Sequence, residues 1–397
     1  MFSARTSWDR TANPLAIAVE HARSSGRALL DLTESNPTRT GIFPLEPLIA
    51  ELGNPSGALY EPTPLGHESA RKAVAGYYAA RGFDVDPAHV VLSASTSEAY
   101  SWILSLLSDA GDTVLVPRPS YPLLGWIAAS QGVRLVAYPL SRDAGFRIDL
   151  DELRAAIDPR TRAIVLVHPN NPTGSFVRQD EARALAALAK EHGLALIVDE
   201  VFGDYAHRSL PSGALASFLD AAAFEAPLVF VLSGLSKVLL LPQCKLGWTV
   251  VSGDPALVRE ALARLELVAD TFLSVATPVQ LALPTLLAAQ PRVRRAVLER
   301  IGQNLDTLDR ALADLGADAP VRRLPADGGW YAVLEVPRVH DEDTWAELLV
   351  REEGIIVHPG YFFDFDRDGF LVLSLILPTD SFADGVRRLV RRLGAPS

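Results

Sequence analysis

The sequence predicts an α/β fold: a large domain with a mostly parallel seven-stranded sheet between helices, plus a smaller α+β domain. Seven short apolar runs, rich in β-branched residues, recur between residues 90 and 253, and helical patterns lie between several of them. Continuous apolar runs of this length are typical of strands that are buried on both faces, as in a parallel sheet. Their alternation with helices is typical of a layered α/β domain.

The runs and two of the helical patterns have clear limits. Each helical pattern stops at a glycine, which commonly ends a helix: SEAYSWILSLLSDAG (97–111) at Gly111 and RQDEARALAALAKEHG (178–193) at Gly193. The predicted strands are, in order, VVL (90–92), TVLVP (113–117), RLVAYPL (134–140), AIVLVHP (163–169), LALIVDE (194–200), LVFVLSG (228–234) and LGWTVVSG (246–253).

The C-terminal part has a different pattern, in which a long amphipathic stretch precedes mixed strands and helices. The predicted elements are a helix at 291–316, a strand at 330–337, a helix at 343–354, the strand IIVHPG, a strand at 370–378 and a final helix. The first 45 or so residues have no complete core of their own. We therefore expect a large domain at residues 46–285 and a small domain formed by residues 1–45 and 286–397.

Composition narrows the class of protein. The 397-residue chain has a net charge of −11, which disfavours nucleic acid and anionic membranes as partners. The single cysteine, Cys244, has no neighbours at metal-ligand spacing, so we expect no metal site and a reducing compartment. The N-terminus has no basic region leading into an apolar one, and the run around Lys237 is shorter than the ~20 apolar residues of a membrane span. These features predict a cytoplasmic protein.

Polar residues follow five of the predicted strands. They form the segments SASTS (93–97), PRPSY (117–121), HPNNPTG (168–174), DE (199–200) and SGLSK (233–237). Ligands of a parallel sheet bind beyond the carboxyl ends of its strands. Five strand ends with hydroxyls, amides, carboxylates, an aromatic ring and a lysine therefore predict one binding site.

Three of these segments have a particular chemical meaning when they occur together. Lys237, at the end of an apolar strand, is either a lysine that reaches solvent or a desolvated amine suited to forming a Schiff base. Asp199 either caps a turn or holds a cationic partner. Ser95, Thr96 and Ser97 open a helix, and three hydroxyls exceed what an N-cap needs, so they could hold a phosphate. An amine, a carboxylate for a pyridinium nitrogen and a phosphate cup together indicate pyridoxal 5'-phosphate.

The sequence also resembles the class I/II aminotransferase family of pyridoxal-phosphate enzymes, which has the aspartate-aminotransferase type of fold. HPNNPTG, VDEVFGDY and SGLSKVLLLPQCKLGW match successive motifs of that family, in order and at similar spacing. The resemblance runs from LTESNP (32–37) into the C-terminal domain. It implies an aminotransferase that moves an amino group between an amino acid and a 2-oxo acid by a ping-pong mechanism, with the cofactor bound to the large domain.

The resemblance also implies residue roles. Lys237 would form the Schiff base and move the substrate proton, and Asp199 would keep the pyridine nitrogen protonated. Asn171 would donate to the phenolic oxygen of the ring, and Tyr121 would stack on the ring face. Residues on the phosphate side would be Thr96, Ser97, Ser236, Lys245 and Tyr60. Because Tyr60 would reach the phosphate of a neighbouring subunit, the resemblance implies a homodimer with shared active sites.

Four positions depart from the family pattern. Lys245 replaces an arginine on the phosphate side, Gly234 replaces a serine three residues before the lysine, and Phe202 replaces a tyrosine that donates to the phenolic oxygen. The fourth is Val372, which aligns with the arginine that binds the substrate α-carboxylate. We expect a different cation to take that role. The candidate substrate residues are Ser35, Asn36, Arg39, Trp330 and Arg367, and Tyr331, Tyr361 and Phe363 are candidates for an aromatic wall.

Other functions stay open from the sequence alone. The same scaffold supports other pyridoxal-phosphate reactions, such as β-elimination or decarboxylation, and fold does not choose among them. A non-catalytic ligand-binding protein is a further alternative, which the presence of Lys237, Asp199 and Asn171 disfavours. Nicotinamide or nucleotide binding is disfavoured because the sequence has no GxGxxG at a strand–helix turn and no GxxxxGK[ST].

Overall fold

The computed structural model describes residues 1–220, 224–273, 275–316 and 318–394. Its strands, in chain order, are β1 Leu30–Asp31, β2 Val90–Ser93, β3 Thr113–Arg118, β4 Arg134–Ser141, β5 Arg147–Ile148, β6 Thr161–Val167, β7 Ala195–Asp199, β8 Leu228–Gly234, β9 Gly247–Gly253, β10 Arg322–Arg323, β11 Tyr331–Glu335, β12 Ile355–Ile356, β13 His358–Pro359 and β14 Phe370–Ser374.

Helices fill most of the intervals between the strands. The α-helices are α1 Pro14–Ser24, α2 Glu46–Ala50, α3 Glu68–Ala79, α4 Thr96–Leu107, α5 Leu123–Gln131, α6 Leu150–Ala155, α7 Gln179–His192, α8 Leu235–Val238, α9 Pro255–Phe272, α10 Thr277–Ala288, α11 Gln290–Ala313, α12 Glu342–Leu348 and α13 Thr379–Leu393. Short 3-10 helices lie at Ala4–Thr6, Pro37–Arg39, Glu51–Gly53, Pro55–Ala58, Pro87–His89, Arg142–Ala144, Pro242–Cys244 and Gly360–Phe363, and a π-helical turn lies at Leu349–Glu353.

The large sheet has the order β2-β9-β8-β7-β6-β3-β4-β5. The five strands from β8 to β4 are parallel to one another, whereas β9 is antiparallel to both of its neighbours. All seven predicted strands are present. The described sheet has an eighth, because the two-residue strand β5 adds an antiparallel edge beside β4. A strand of two residues is too short to leave a pattern in the sequence.

Both faces of this sheet are covered, as the continuous apolar runs predict. Along β6, for example, Val165 belongs to a core shared with α4, α5 and α9, while Leu166 belongs to a core shared with α3, α7 and α10. Successive side chains of a strand point to opposite faces, so every residue of such a strand must be apolar. The parallel strands β3, β6, β7 and β8 also end at one edge of the sheet, which brings their following loops together.

The smaller sheet has the order β10-β11-β14-β13 and is antiparallel. The helices α11 and α13 pack on each other beside it. N-terminal residues join this part of the chain through the parallel pair β1–β12, in which Leu30 pairs with Ile355. This pairing agrees with the expectation that the N-terminal segment shares the core of the tail. The domain limits at residues 46–285 stay a prediction.

Two features bear on partners. No helix in the described part of the chain is long and apolar enough to cross a bilayer. Among the described residues, no group of three or more histidine, cysteine or acidic side chains is placed to hold a metal ion.

Candidate active site

A cavity of about 620 Å³ lies at the edge of the sheet where the parallel strands end. It brings together side chains from all five strand-end segments from which the site was predicted, together with Ser35, Tyr331, Tyr361 and Asp364. The predicted site residues that line it are Ser35, Thr96, Ser97, Tyr121, Asn171, Asp199, Ser236 and Lys237.

Lys237 lies in the one-turn helix α8, directly after the buried strand β8. Its backbone carbonyl accepts a hydrogen bond from the Tyr205 hydroxyl at 2.6 Å, which fixes the start of the side chain. The Nζ atom lies 4.6 Å from the centroid of the Trp330 ring and 5.5 Å from that of Phe202. Burial lowers the pKa of Lys237 to about 8, although the charge of Asp199 raises it. The amine is therefore partly neutral near physiological pH.

Asp199 is the last residue of β7, and its carboxylate is held from two sides. Oδ1 accepts from the backbone N–H of Val201 at 3.1 Å, and the Tyr100 hydroxyl donates to Oδ2 at 3.4 Å. Burial raises the pKa of Asp199 to about 6, and these hydrogen bonds and Lys237 act in the opposite direction. Sequence reasoning missed Tyr100. The available signal was its position one helical turn after Thr96, which places both on the same face of α4.

The N-terminus of α4 forms one end of the cavity. Ser95 caps the helix by accepting from the backbone N–H of Glu98 at 3.1 Å, and Glu98 accepts from the backbone N–H of Ala94 at 2.6 Å. This reciprocal pair is a capping box. Since Ser95 alone satisfies the cap, the side chains of Thr96 and Ser97, which line the cavity, are available to a ligand.

Asn170 and Asn171 have different environments. Asn170 is a structural residue, because its side chain donates to the carbonyl of Pro119 and accepts from the Thr173 hydroxyl. Asn171 is also buried, but its Oδ1 atom has no hydrogen-bond partner within the described chain. A buried polar atom without a partner is costly, so this amide is placed to meet a polar group of a ligand.

The residues present fit pyridoxal phosphate. They supply an amine, a carboxylate, an unpaired buried amide and a helix N-terminus with free hydroxyls, all facing one cavity. Tyr121 adds an aromatic ring that is 51% exposed and therefore open to stacking.

Comparison with known proteins decides the family. The family model described as aminotransferase class I and II matches residues 45–383, which is most of the chain. The chain belongs to this family. The resemblance stated from the motifs is thus confirmed, and so is the predicted enzyme class.

Relatives and solved structures agree with this membership. Tyrosine aminotransferase of Bos taurus is 26% identical over 387 residues, which cover 92% of this chain and 83% of that protein. Glutamate-pyruvate aminotransferase of Haemophilus influenzae is 28% identical over 360 residues, covering 88% of this chain and 87% of that protein. Alanine aminotransferase from Pyrococcus furiosus has the same fold, with a TM-score of 0.88, 21% identity and 99% coverage of both chains.

Six predicted site residues of this aminotransferase lie outside the cavity lining: Asn36, Arg39, Tyr60, Lys245, Trp330 and Arg367. Trp330 is fully buried behind Lys237, so it is a neighbour of the lysine and not of the cavity. Tyr60 and Lys245 are exposed. Of the aromatic candidates, Tyr331 and Tyr361 line the cavity, whereas the buried Phe363 does not.

The two arginine candidates for carboxylate binding are already paired with acids. Arg39 is 73% exposed and lies 3.5 Å from Glu34. Arg367 lies 3.0 Å from Glu335 and stacks over Phe370. Val372 itself is fully buried and pairs with Val333 and His358 on neighbouring strands. The structure therefore does not favour either arginine as the replacement for the usual one.

Gly234 departs from the family serine for a steric reason. A Cβ atom built at Gly234 would lie 2.9 Å from the Cα of Gly247 in the antiparallel strand β9. A Cβ at Gly247 would in turn lie 3.1 Å from the backbone N of Thr96. The two glycines thus let β8, β9 and the N-terminus of α4 approach closely. Ser233 does not replace the missing hydroxyl, because neighbouring side chains of a strand point to opposite faces.

We predict that Gly234→Ala lowers the free energy of unfolding by about 1–3 kcal/mol, because the new methyl group meets backbone atoms that cannot rotate away. Urea denaturation of the purified protein measures this change. The matched control is Gly302→Ala in α11, where a Cβ meets nothing within 4 Å. It should leave stability unchanged or raise it by up to about 1 kcal/mol. Equal stability of the two variants would contradict the close approach.

Proposed function

We propose that this family member is a pyridoxal-phosphate-dependent aminotransferase that transfers an amino group between an amino acid and a 2-oxo acid by a ping-pong mechanism. One observation carries the proposal: a desolvated lysine and a desolvated aspartate line the same cavity, with pKa values shifted towards each other. Groups with pKa values moved towards neutrality in a cleft are typical of acid–base catalysis.

The cofactor, when bound, supplies an aldehyde for amine exchange and a ring that accepts electrons. Lys237 would provide the amine that is exchanged and would carry a proton to and from the substrate at Nζ. Its lowered pKa suits this task, since a base must be deprotonated before it accepts a proton. Asp199 would hold the protonated ring nitrogen by a charged pair.

The remaining cavity residues would position the cofactor. Thr96, Ser97 and Ser236 would bind the phosphate at the N-terminus of α4, where backbone N–H groups and the helix dipole favour an anion. Asn171 would donate to the phenolic oxygen, and Tyr121 would cover the ring face. Lys245 would contribute charge to the phosphate from outside the cavity, as a point charge without the bidentate geometry of an arginine.

We also propose a homodimer in which Tyr60 reaches the partner's cofactor. Tyr60 and its neighbour Leu59 are both 63% exposed. Adjacent exposed apolar side chains are typical of an interaction surface. A cytoplasmic location is proposed from the single cysteine, since a chain with one cysteine forms no internal disulfide and fits a reducing compartment.

The names of the relatives indicate the chemical class of the amino donor but not the individual amino acid. The curated relatives named above act, by name, on tyrosine or on glutamate and pyruvate. We propose an amino acid and a 2-oxo acid as the substrate pair.

The first test of this function is the attachment of the cofactor. With pyridoxal phosphate, the protein should show a visible absorption band that borohydride removes, and peptide mass mapping should find the reduced adduct at Lys237. The chain has four lysines, Lys72, Lys190, Lys237 and Lys245, so the assignment is unambiguous. Lys237→Ala should abolish the adduct, and Lys190→Ala should not. An adduct on another lysine would refute the proposed role.

The second test concerns Asp199. Asp199→Asn should fold and bind the cofactor but lose at least about 10²–10³-fold in turnover, the range for removal of one electrostatic stabiliser. Stopped-flow measurement of the first half-reaction with a single amino donor measures this loss. Asp364→Asn, which changes another acid of the cavity lining, should have a much smaller effect. A near-native rate in Asp199→Asn would rule out the electron-sink role.

The third test concerns the shared site. Tyr60→Phe and Lys237→Ala should each be poorly active, and a mixture of the two should recover about a quarter of wild-type activity, because half of the dimers would contain one native site. A mixture of Lys237→Ala with Asp199→Asn is the control. It should recover nothing, since both residues serve the site of their own subunit. Failure of the first mixture would place Tyr60 in its own subunit's site or outside both.

A further inference from the structure

Lys237 has an aromatic surrounding that the family motifs do not explain. Its Nζ atom lies 4.6 Å from the centroid of the Trp330 ring, within the range of a cation–π contact, and 5.5 Å from that of Phe202. Phe202 packs edge-on against Trp330, with centroids 5.1 Å apart, and Tyr205 stacks on Trp330 at 5.8 Å with an interplanar angle of 25°. Two aromatic side chains, Phe202 and Tyr205, therefore hold the indole ring in place next to the amine.

Packing alone does not account for a tryptophan at this position. Trp330 is fully buried, and its indole Nε1 makes no hydrogen bond of good geometry in the described part of the chain, although the side chain interacts with the Tyr331 hydroxyl. A buried N–H with only a poorly aligned partner gains little, and phenylalanine would fill the core without it. The property that tryptophan adds is the stronger quadrupole of its ring face, which attracts cations better than phenylalanine does.

We propose that Trp330 is a positioning residue, whose ring face stabilises the ammonium form of Lys237 and holds the free side chain at one place in the cavity. This inference rests on the proposed role of Lys237. A lysine that accepts a proton at Nζ and later releases it must pass through the ammonium form. The Trp330 ring offsets part of the solvation that the ammonium form of Lys237 loses on burial. Because the ring has no net charge, it does not compete with Asp199 for the ammonium group.

The effect on the pKa of Lys237 has a definite sign. Burial lowers it to about 8 from its usual 10.5, and Asp199 is the charged group that raises it. The other titratable groups facing the cavity are Tyr100, Tyr121, Tyr331, Tyr361 and Asp364. Loss of a cation–π contact should lower the pKa of Lys237 further. If Trp330 only kept water away from the amine, its removal would admit water and raise the pKa of Lys237.

The experiment measures this pKa in the cofactor-free full-length chain. Reductive methylation with 13C-formaldehyde labels the four lysines, and NMR titration over pH 6–11 follows each one. The resonance missing from Lys237→Ala identifies Lys237. In Trp330→Leu the midpoint should fall by about 0.5–1 unit, with Trp330→Phe in between. Trp345→Phe is the control, since this buried tryptophan lies beneath Arg392 instead. It should leave the Lys237 midpoint unchanged.

The outcomes are distinguishable. An unchanged or raised midpoint in a folded Trp330 variant overturns the proposal. Thermal unfolding and circular dichroism establish folding, and if Trp330→Leu does not fold, Trp330→Phe decides with the same criterion. The titration needs no cofactor. Absence of the borohydride-reduced adduct at Lys237 would therefore count against the proposed function. An unchanged or raised pKa of Lys237 in the Trp330 variants would count only against the role proposed for Trp330.

Discussion

The site depends on the burial of an amine and a carboxylate at one edge of a parallel sheet. Asp199 ends β7 and Lys237 lies in α8, directly after the neighbouring strand β8, and the two strands are parallel and hydrogen-bonded to each other. Both groups lose solvation there, so the pKa of the lysine falls and that of the aspartate rises. The ammonium form of Lys237 is favoured by the charge of Asp199, whereas the carboxylate of Asp199 is favoured first by the Val201 amide, then by the Tyr100 hydroxyl and last by Lys237. The Tyr205 hydroxyl in turn holds the backbone carbonyl of Lys237.

The sequence was sufficient for the fold because the central strands are buried on both faces. Burial of this kind requires continuous apolar runs, such as LALIV before Asp199, and such runs are visible in a single sequence. Parallel strands also end at a common edge, so the residues that follow them could be grouped into one site before any distance was known. The roles of individual residues needed the family motifs in addition.

The rest of the site depends on contacts between segments distant in sequence, which leave no local pattern. Trp330 was expected in the substrate wall, but it lies next to Lys237 and packs against Phe202 and Tyr205, which are more than 100 residues away in the sequence. The close approach of Gly234 to Gly247 is set by the pairing of β8 with β9. Arg367 was a candidate for carboxylate binding, and its pairing with Glu335 joins residues that are 32 positions apart in the sequence.

A valine at position 372, where the family motif predicts an arginine, would change how the site distinguishes its substrates. Among the described residues that line the cavity, Lys237 is the one cation, and Asp199 and Asp364 are the acids. The hydroxyls of Ser35 and Tyr331 also line the cavity, and each is a neutral group that can donate a hydrogen bond to a substrate carboxylate. A charge-assisted hydrogen bond is worth about 1.5–3 kcal/mol, and neutral ones are weaker.

When a substrate lacks the α-carboxylate, neutral hydrogen-bond donors leave no buried charge unpaired in the site. Specificity is a difference between two binding free energies, and an arginine rejects the wrong substrate mainly through the cost of its own unpaired charge. Val372 removes that cost. This chain should therefore discriminate less sharply than arginine-bearing members of the family between amino acids and amines without an α-carboxylate, even where both reach Lys237 equally well.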